Sequence, residues 1–369
     1  MNEIITAYVG LDAHAESNAI GVAQAGQISA PRFLGTVGAK FAELTKALGK
    51  VGKPQELRIV YEAGPCGYSM VRRLREAGYH CEVVAPSKIP RKSGDRVKTD
   101  RRDAMTLAGL ARAGQLTFVS VPDERDEAMR DLSRARTDAV RARHKARQRL
   151  KAMLLRHERR YTGKSSWTAA HERYLSAVSF DHRAQDIAFV EYRRAISEAQ
   201  ARVELLTTAL SEELAHWRMR PLVRALMTLR GIDELVATGL VAELGELKRF
   251  AHARDLMGYL GVVPSEYSSG SKRALGAITK TGNSQARRML IEAAWNYRFP
   301  ARISLSLQRR QEGQCAAIRE IAWKAQLRLT QRYRRLSARG LQHNKVCVAI
   351  ARELTGFIWS IGQQVRIET

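Results

Sequence analysis

Ile4-Ile5-Thr6-Ala7-Tyr8-Val9-Gly10-Leu11-Asp12 is the stretch on which the fold of this chain turns. Residues 4–11 are apolar or β-prone almost throughout, so they read as a buried strand that ends on a carboxylate, Asp12. Residues 17–24 and 32–37 have the same character and are separated by the Gly26-Gln27 turn, which predicts two further strands. A helical period runs from Phe41 to Leu48, and Leu57 to Tyr61 is again β-rich, ending at Glu62. Gly64-Pro65 breaks that run, Tyr68 to Ala77 resumes as helix, and Cys81 to Ala85 is a short strand closed by Pro86. A last helix starts at Asp100 and runs to about Ala113. The order β-β-β-α-β-α-β-α describes an α/β domain with a mixed sheet over residues 1–118.

Beyond it the chemistry of the chain changes. Residues 125–160 are helical in period and carry 13 Arg or Lys against 5 Asp or Glu. Ala184 to Trp217 is a second long helical pattern, striped by Ile187, Val190, Ile196, Val203, Leu206 and Leu210. Two long helices joined by a polar loop predict a helical hairpin or coiled coil over residues 119–217. Its arginine excess suits a nucleic-acid contact face, with Arg141 and Arg147 as candidates, although a solvated spacer has a similar composition. Residues 218–369 read as a further helical domain. In it, Leu229-Arg230-Gly231-Ile232-Asp233 resembles the turn of a helix-hairpin-helix, which presents backbone N–H groups to phosphates. Residues 302–335 and 344–361 are helical again.

The 369 residues carry 62 Lys and Arg against 37 Asp and Glu, a net charge of +25, which points to a polyanionic partner. A membrane surface is the rival, but no apolar run approaches the roughly 18 residues of a spanning helix, and the start Met1-Asn2-Glu3-Ile4 lacks a signal-peptide pattern. The expectation is a bacterial cytoplasmic protein, associated with the nucleoid when it acts. Cys66, Cys81, Cys315 and Cys347 show no C-x-x-C spacing and read as reduced, mostly buried thiols.

Asp12 and Glu62 fall at strand ends, while Asp100 and Asp103 share a helix face at its first turn, where negative charge is well tolerated. Each alone is an ordinary turn or cap residue. Brought together, four carboxylates repel unless a hard divalent cation such as Mg2+ or Mn2+ neutralises them, and two such ions about 4 Å apart catalyse phosphoryl transfer. The basic loop Lys88, Arg91, Lys92, Arg96 and Lys98 precedes the last acids and suits a phosphate backbone.

The segments Val9-Gly10-Leu11-Asp12, Tyr61-Glu62-Ala63-Gly64-Pro65 and Lys98-Thr99-Asp100-Arg101-Arg102-Asp103-Ala104 resemble the D-E-D-D motifs of a family of bacterial insertion-sequence transposases. The N-terminal domain of that family is similar to RuvC-type junction resolvases, in the ribonuclease H fold, and the Piv-type DNA invertases belong to the same group. A second resemblance lies in Gly258-Tyr259-Leu260-Gly261-Val262-Val263-Pro264, Ser268-Ser269-Gly270 and Lys280-Thr281-Gly282-Asn283, followed by Arg287-Arg288, which look like the G-L-x-P, S-G and K-x-G-N elements of the family's transposase domain.

The resemblance implies a serine nucleophile on DNA. Ser269, before Gly270, fits best, with Ser268 and Ser271 as neighbours; by composition alone the segment is a surface loop. No local base stands out, so metals held by the acids would have to assist it. Lys272, Arg273, Lys280, Arg287 and Arg288 supply phosphate-binding charge nearby. The resemblance further implies an element-encoded structured guide RNA that pairs with donor and target DNA, which leaves the protein to read backbone and shape. A homo-oligomer, dimer or tetramer, is expected from the apolar stripes and from the need for several active centres. The alternatives are a RuvC-like nuclease or junction resolvase that uses water as nucleophile, and a non-catalytic nucleic-acid-binding protein.

Overall fold

The computed structural model describes residues 4–64, 66–90, 99–270 and 274–367, and the chain divides into two compact units, Met1–Val121 and Pro122–Thr369. The first contains β1 (Ala7–Ala13), β2 (Ser17–Gln24), β3 (Arg32–Gly38), α1 (Phe41–Leu48), β4 (Leu57–Glu62), α2 (Ser69–Glu76), β5 (His80–Val84) and α3 (Asp100–Arg112). The five strands form one sheet in the order β3-β2-β1-β4-β5. The pairs β1–β2 and β2–β3 are antiparallel, and β1–β4 and β4–β5 are parallel. This is the expected mixed α/β sheet in the expected element order.

Strand alternation assigns the two faces. Ala7, Val9 and Leu11 of β1, with Ile59, Tyr61 and Val83, pack against Leu44 and Leu48 of α1 and Val71 and Leu74 of α2. The opposite face carries Tyr8, Val60 and Val84 and is covered by Leu107 and Ala111 of α3. Gly10 and Gly21 are register partners on β1 and β2. A Cβ built on Gly10 would lie 2.2 Å from the Ala104 carbonyl oxygen, and one on Gly21 would lie 2.5 Å from the same atom. The missing side chains let the backbone of α3 rest directly on the sheet.

The second unit begins with α4 (Glu124–Arg156), α5 (Ala169–Ala177) and α6 (Arg183–His216). The helices α4 and α6 have 33 and 34 residues, so each is about 50 Å long. They run antiparallel: Trp217 Nε1 donates to Asp126 at 2.7 Å, Arg136 to Thr207 at 2.8 Å, and Arg143 to Gln200 at 2.8 Å. Val203 and Leu210 of the expected stripe are buried, whereas Ile187 and Val190 are 56% and 57% exposed. The chain continues through α7 (Arg220–Leu226), α8 (Glu234–Leu244), α9 (Ala253–Tyr259), a hairpin of β6 (Pro264–Glu266) and β7 (Leu275–Ile278), α10 (Ser284–Ala294), α11 (Leu305–Gln311), α12 (Ala316–Ala338) and α13 (His343–Gln364). The β6–β7 hairpin was not foreseen in the sequence. The expected helix over 302–335 is two helices, divided where Gly313 takes φ +74°.

The Gly231 turn does join two short helices, but it faces protein. Its Cβ position abuts the Ala293 carbonyl, the Ile232 carbonyl accepts from Arg310, and Arg230 donates to the Phe299 and Pro300 carbonyls. Asp233 caps α8 and Glu234 occupies its first turn, so the N–H groups there meet carboxylates.

The Gly10 contact generates a stability prediction. Gly10→Ala forces a methyl group against the α3 backbone and should cost about 3 kcal/mol, the upper range for overpacking. Gly49→Ala, whose Cβ meets only ordinary contacts at 3.4 and 3.7 Å in a right-handed conformation, should be near neutral. Denaturant unfolding followed by circular dichroism compares the two, and equal midpoints would refute the close approach.

Candidate active site

Tyr8, Gly10 and Asp12 alternate onto the α3 face of β1. Leu11 is paired in parallel with Tyr61, so Asp12 and Glu62 follow at the same carboxyl edge of adjacent strands, Glu62 on the side of Val60. Adjacent strands lie about 4.8 Å apart. Thr99 caps α3, its hydroxyl accepting from the Arg102 N–H at 3.3 Å, which starts the helix at Asp100. Ala104, Leu107, Ala108 and Ala111 form its buried stripe, and Asp100 and Asp103 prolong that stripe by one turn beyond the sheet edge.

Asp12, His14 and Asp100 bring one ligand atom each to within 4.8 Å of one another. His14 Nε2 lies 3.5 Å from Asp12 Oδ2 and 3.5 Å from Asp100 Oδ1. Asp12 is largely shielded, while His14 and Asp100 are about half exposed, so the group opens to solvent. Two carboxylates suit a hard divalent cation such as Mg2+ or Mn2+, and the added imidazole favours the softer Mn2+ of the two. Glu62 and Asp103 lie on the same side of the sheet but outside this group of three. Sequence reasoning followed the acids and passed over His14; its signal was the Asp-x-His spacing at a strand end, which puts both side chains on one face. The loop after Glu62 is fastened beside them: the Tyr61 hydroxyl donates to the Gly67 carbonyl at 2.9 Å, and the Cys66 thiol to the Ala13 carbonyl at 3.5 Å. Lys88 is exposed in a single 3-10 turn, and Arg91, Lys92, Arg96 and Lys98 lie outside the described residues.

In the second unit the serine segment tops the β6–β7 hairpin. The Ser268 hydroxyl donates to Glu266 at 2.7 Å and accepts from the Ala274 N–H at 3.3 Å, so it braces the turn. Ser269 is exposed, and Gly270 takes φ +57°, which favours glycine. Glu266 is a carboxylate beside the serines that sequence reasoning did not single out. Ser271, Lys272 and Arg273 lie outside the described residues.

A buried charge holds the Lys280-Thr281-Gly282-Asn283 turn. Glu243 on α8 is 3% exposed; Arg134 grips it with Nε at 2.7 Å and Nη2 at 2.9 Å, and Asn283 Nδ2 donates to it at 2.6 Å. Asn283 in turn caps α10 through the Ala286 N–H. Arg287 donates to the Leu260 and Thr281 carbonyls at 2.9 and 2.8 Å, and burial lowers its pKa. It thus staples the turn rather than facing solvent. Lys280 and Arg288 are exposed. On α4, Arg141 is exposed and bonded to Asp138 and Gln285. Arg147 is half-buried with its guanidinium 4.7 Å from the Trp167 ring centre.

Burial on its own raises the Glu243 pKa, but the hydrogen bonds from Arg134 and Asn283 outweigh it and hold the carboxyl below its usual range. A depressed folded-state pKa contributes stability above the unfolded carboxylate pKa of about 4.3, and that stability is lost as pH falls through the folded value. Arg134→Met leaves the buried carboxylate uncompensated and should cost about 3 kcal/mol at pH 7. The deficit should shrink toward pH 4 as Glu243 takes up a proton. Urea titrations of both proteins between pH 4 and 8 measure it, and a deficit independent of pH would contradict this account.

Comparison with known proteins matches segments in both units. Residues 9–158 match a family described as Transposase, of the DEDD type, and residues 223–304 match the Transposase IS116/IS110/IS902 family. The chain is 47% identical over 364 residues to "Putative transposase y4qE" of Sinorhizobium fredii, covering 98% of this chain and 90% of that one. It is 32% identical over 284 residues to "Transposase for insertion sequence element IS1533" of Leptospira borgpetersenii, covering 76% of this chain and 82% of that one. Among the described residues no helix is long and apolar enough to cross a membrane. With its strand-end and helix-start acids, its serine hairpin and these relatives, the chain belongs to the IS110 family of DEDD transposases, enzymes that cleave and rejoin DNA.

Proposed function

We propose that Asp12, Glu62, Asp100 and Asp103 form the metal-binding centre of this transposase, that His14 joins them, and that Ser269 is the nucleophile. The observation that carries the reading is the convergence of Asp12, His14 and Asp100 at the edge where the other two acids also face. Bound Mg2+ or Mn2+ would supply stabilisation of the charge that develops on the phosphate. Ser269 Oγ attacks phosphorus, the bond from phosphorus to one nucleotide oxygen breaks, and the proton lost by the serine is balanced by the one gained on the leaving oxygen. The phosphoserine ester keeps the energy of the broken phosphodiester, so a DNA hydroxyl reverses the step on a new strand without ATP. Ser268 is less suited to the role because its hydroxyl braces the hairpin through Glu266 and Ala274.

Donor and target DNA contact the basic faces, with Lys88, Arg141, Lys280 and Arg288 exposed for phosphates. Arg147, half-buried over Trp167, and Arg287, bonded to the Leu260 carbonyl, are further candidates for phosphate contact. Arg91, Lys92, Arg96, Lys98, Lys272 and Arg273 complete the proposed set by charge alone. A structured guide RNA selects the sequences, in keeping with a net charge of +25 and a protein that reads backbone. A second copy covers the exposed Ile187 and Val190 of α6, giving a dimer or tetramer. Nucleoid association follows from DNA binding.

Two measurements test the chemistry. Asp12→Ala should abolish both Mn2+ binding by calorimetry and transposition, and His14→Ala should weaken Mn2+ binding by about tenfold or more, at least as much as the loss of a residue that merely orients a ligand; unchanged Mn2+ binding in both variants would remove the metal centre. Ser269→Ala should keep Mn2+ and DNA affinity yet lose the covalent protein–DNA adduct seen by mass spectrometry. Full transposition by Ser269→Ala, with no adduct in the wild type, would favour hydrolysis by water at the acids, as in a junction resolvase.

A further inference from the structure

An open concavity of about 520 Å³ lies in the second unit, remote from the serine hairpin in sequence, with Arg220, Arg224, Cys315, Ile318, Val365 and Arg366 on its walls. Three arginines from two distant parts of the chain line it: Arg220 and Arg224 one turn apart on α7, and Arg366 just after α13. All three arginines are exposed. Among the described residues the acid beside this cluster is Glu234, 3.9 Å from Arg224 and also accepting from Ser211, and Arg220 donates to the Ala215 carbonyl at 3.4 Å. Gathering like charges is unfavourable unless an anion joins them, and the planar fork of arginine matches phosphate oxygens. A second feature adds to this. Cys315 is the N-cap of the 23-residue α12, no side chain caps that end, and its first turn holds no acid, so the N–H groups and positive dipole end open beside the arginines. The apolar floor of Ile318 and Val365 gives a sugar or base edge a surface to lie on.

We infer that this concavity is a phosphodiester-binding site, in which Arg220, Arg224, Arg366 and the first turn of α12 seat a backbone phosphate of the nucleic acid that the transposase handles. The inference rests on the chain acting on nucleic acid and not on the metal centre or on Ser269. It gives the enzyme a hold on the strand distinct from the chemistry, fixing its path over the helical unit.

The test uses the full-length protein in EDTA, so that failure of the metal or serine assignment leaves it untouched. Duplex DNA and a structured RNA hairpin are titrated across a range of salt against wild type and the triple variant Arg220→Gln, Arg224→Gln, Arg366→Gln, with circular dichroism as the fold control. Loss of one seated phosphate should weaken binding by about tenfold and flatten the logarithmic salt slope by about 0.9 for duplex DNA. An effect on the DNA alone or the RNA alone identifies which strand supplies the phosphate, and either supports the site. The exposed Cys315 is an internal reporter: bound nucleic acid should slow its alkylation, read peptide by peptide against an added thiol-containing peptide, and the triple variant should lose that protection. Replacing the three arginines by lysine should restore the salt slope but not the full affinity. Unchanged affinity and slope for both nucleic acids, together with Cys315 alkylation indifferent to either, would overturn the inference.

Discussion

The contact between the backbone of α3 and the paired glycines of β1 and β2 is the constraint on which the N-terminal unit depends. A side chain at Gly10 or Gly21 would lift the helix off the sheet, since either Cβ would overlap the Ala104 carbonyl. Because the helix lies so close, its capped first turn falls at the edge where β1 ends. Asp100 thereby meets Asp12 and His14, three residues that the chain places 86 or more positions apart or on opposite sides of a strand end. The apolar stripe of α3 sets the azimuth of the helix and the glycines set its height. Together they convert scattered acids into a concentrated negative site.

Charge is handled differently in the helical unit. There a buried glutamate, Glu243, serves as the anchor, and its partners come from α4 and from the turn before α10. A second network repeats the device at the base of the long helices, where Arg218 bonds Asp123, Asp126 and Glu246. Burial alone lowers the Arg218 pKa, but these three carboxylates more than offset it and raise it. A chain with so large an excess of cations thus uses Glu243, Asp123, Asp126 and Glu246 as internal ties, while most of its arginines remain for an external polyanion. Such ties fix geometry more than they add stability, because desolvation opposes the attraction between the charges.

Much of this was legible in the sequence. The strands and helices of the first unit follow from their hydrophobic periods, and the family was readable from Asp12, Glu62, Asp100, Asp103 and the Ser268-Ser269-Gly270 segment. The long helices followed from their period as well, although Ile187 and Val190 of the expected stripe face outward near the start of α6. The β6–β7 hairpin escaped notice because three- and four-residue strands are too short to show alternation.

What the sequence by itself determined is local: the period of each element, the excess of positive charge and the acids at strand and helix ends. Tertiary structure alone decided which side chains meet. It brought His14 to Asp12 and Asp100, tied the Ser268 hydroxyl to Glu266 while leaving Ser269 exposed, and turned Arg147 and Arg287 inward although they read like any other surface cation. The physical reason is that periodicity and capping are interactions within a few residues, written directly in the order of the chain. Convergence depends instead on the height and angle at which distant elements pack, and these are set by contacts such as the one between Gly10 and Ala104.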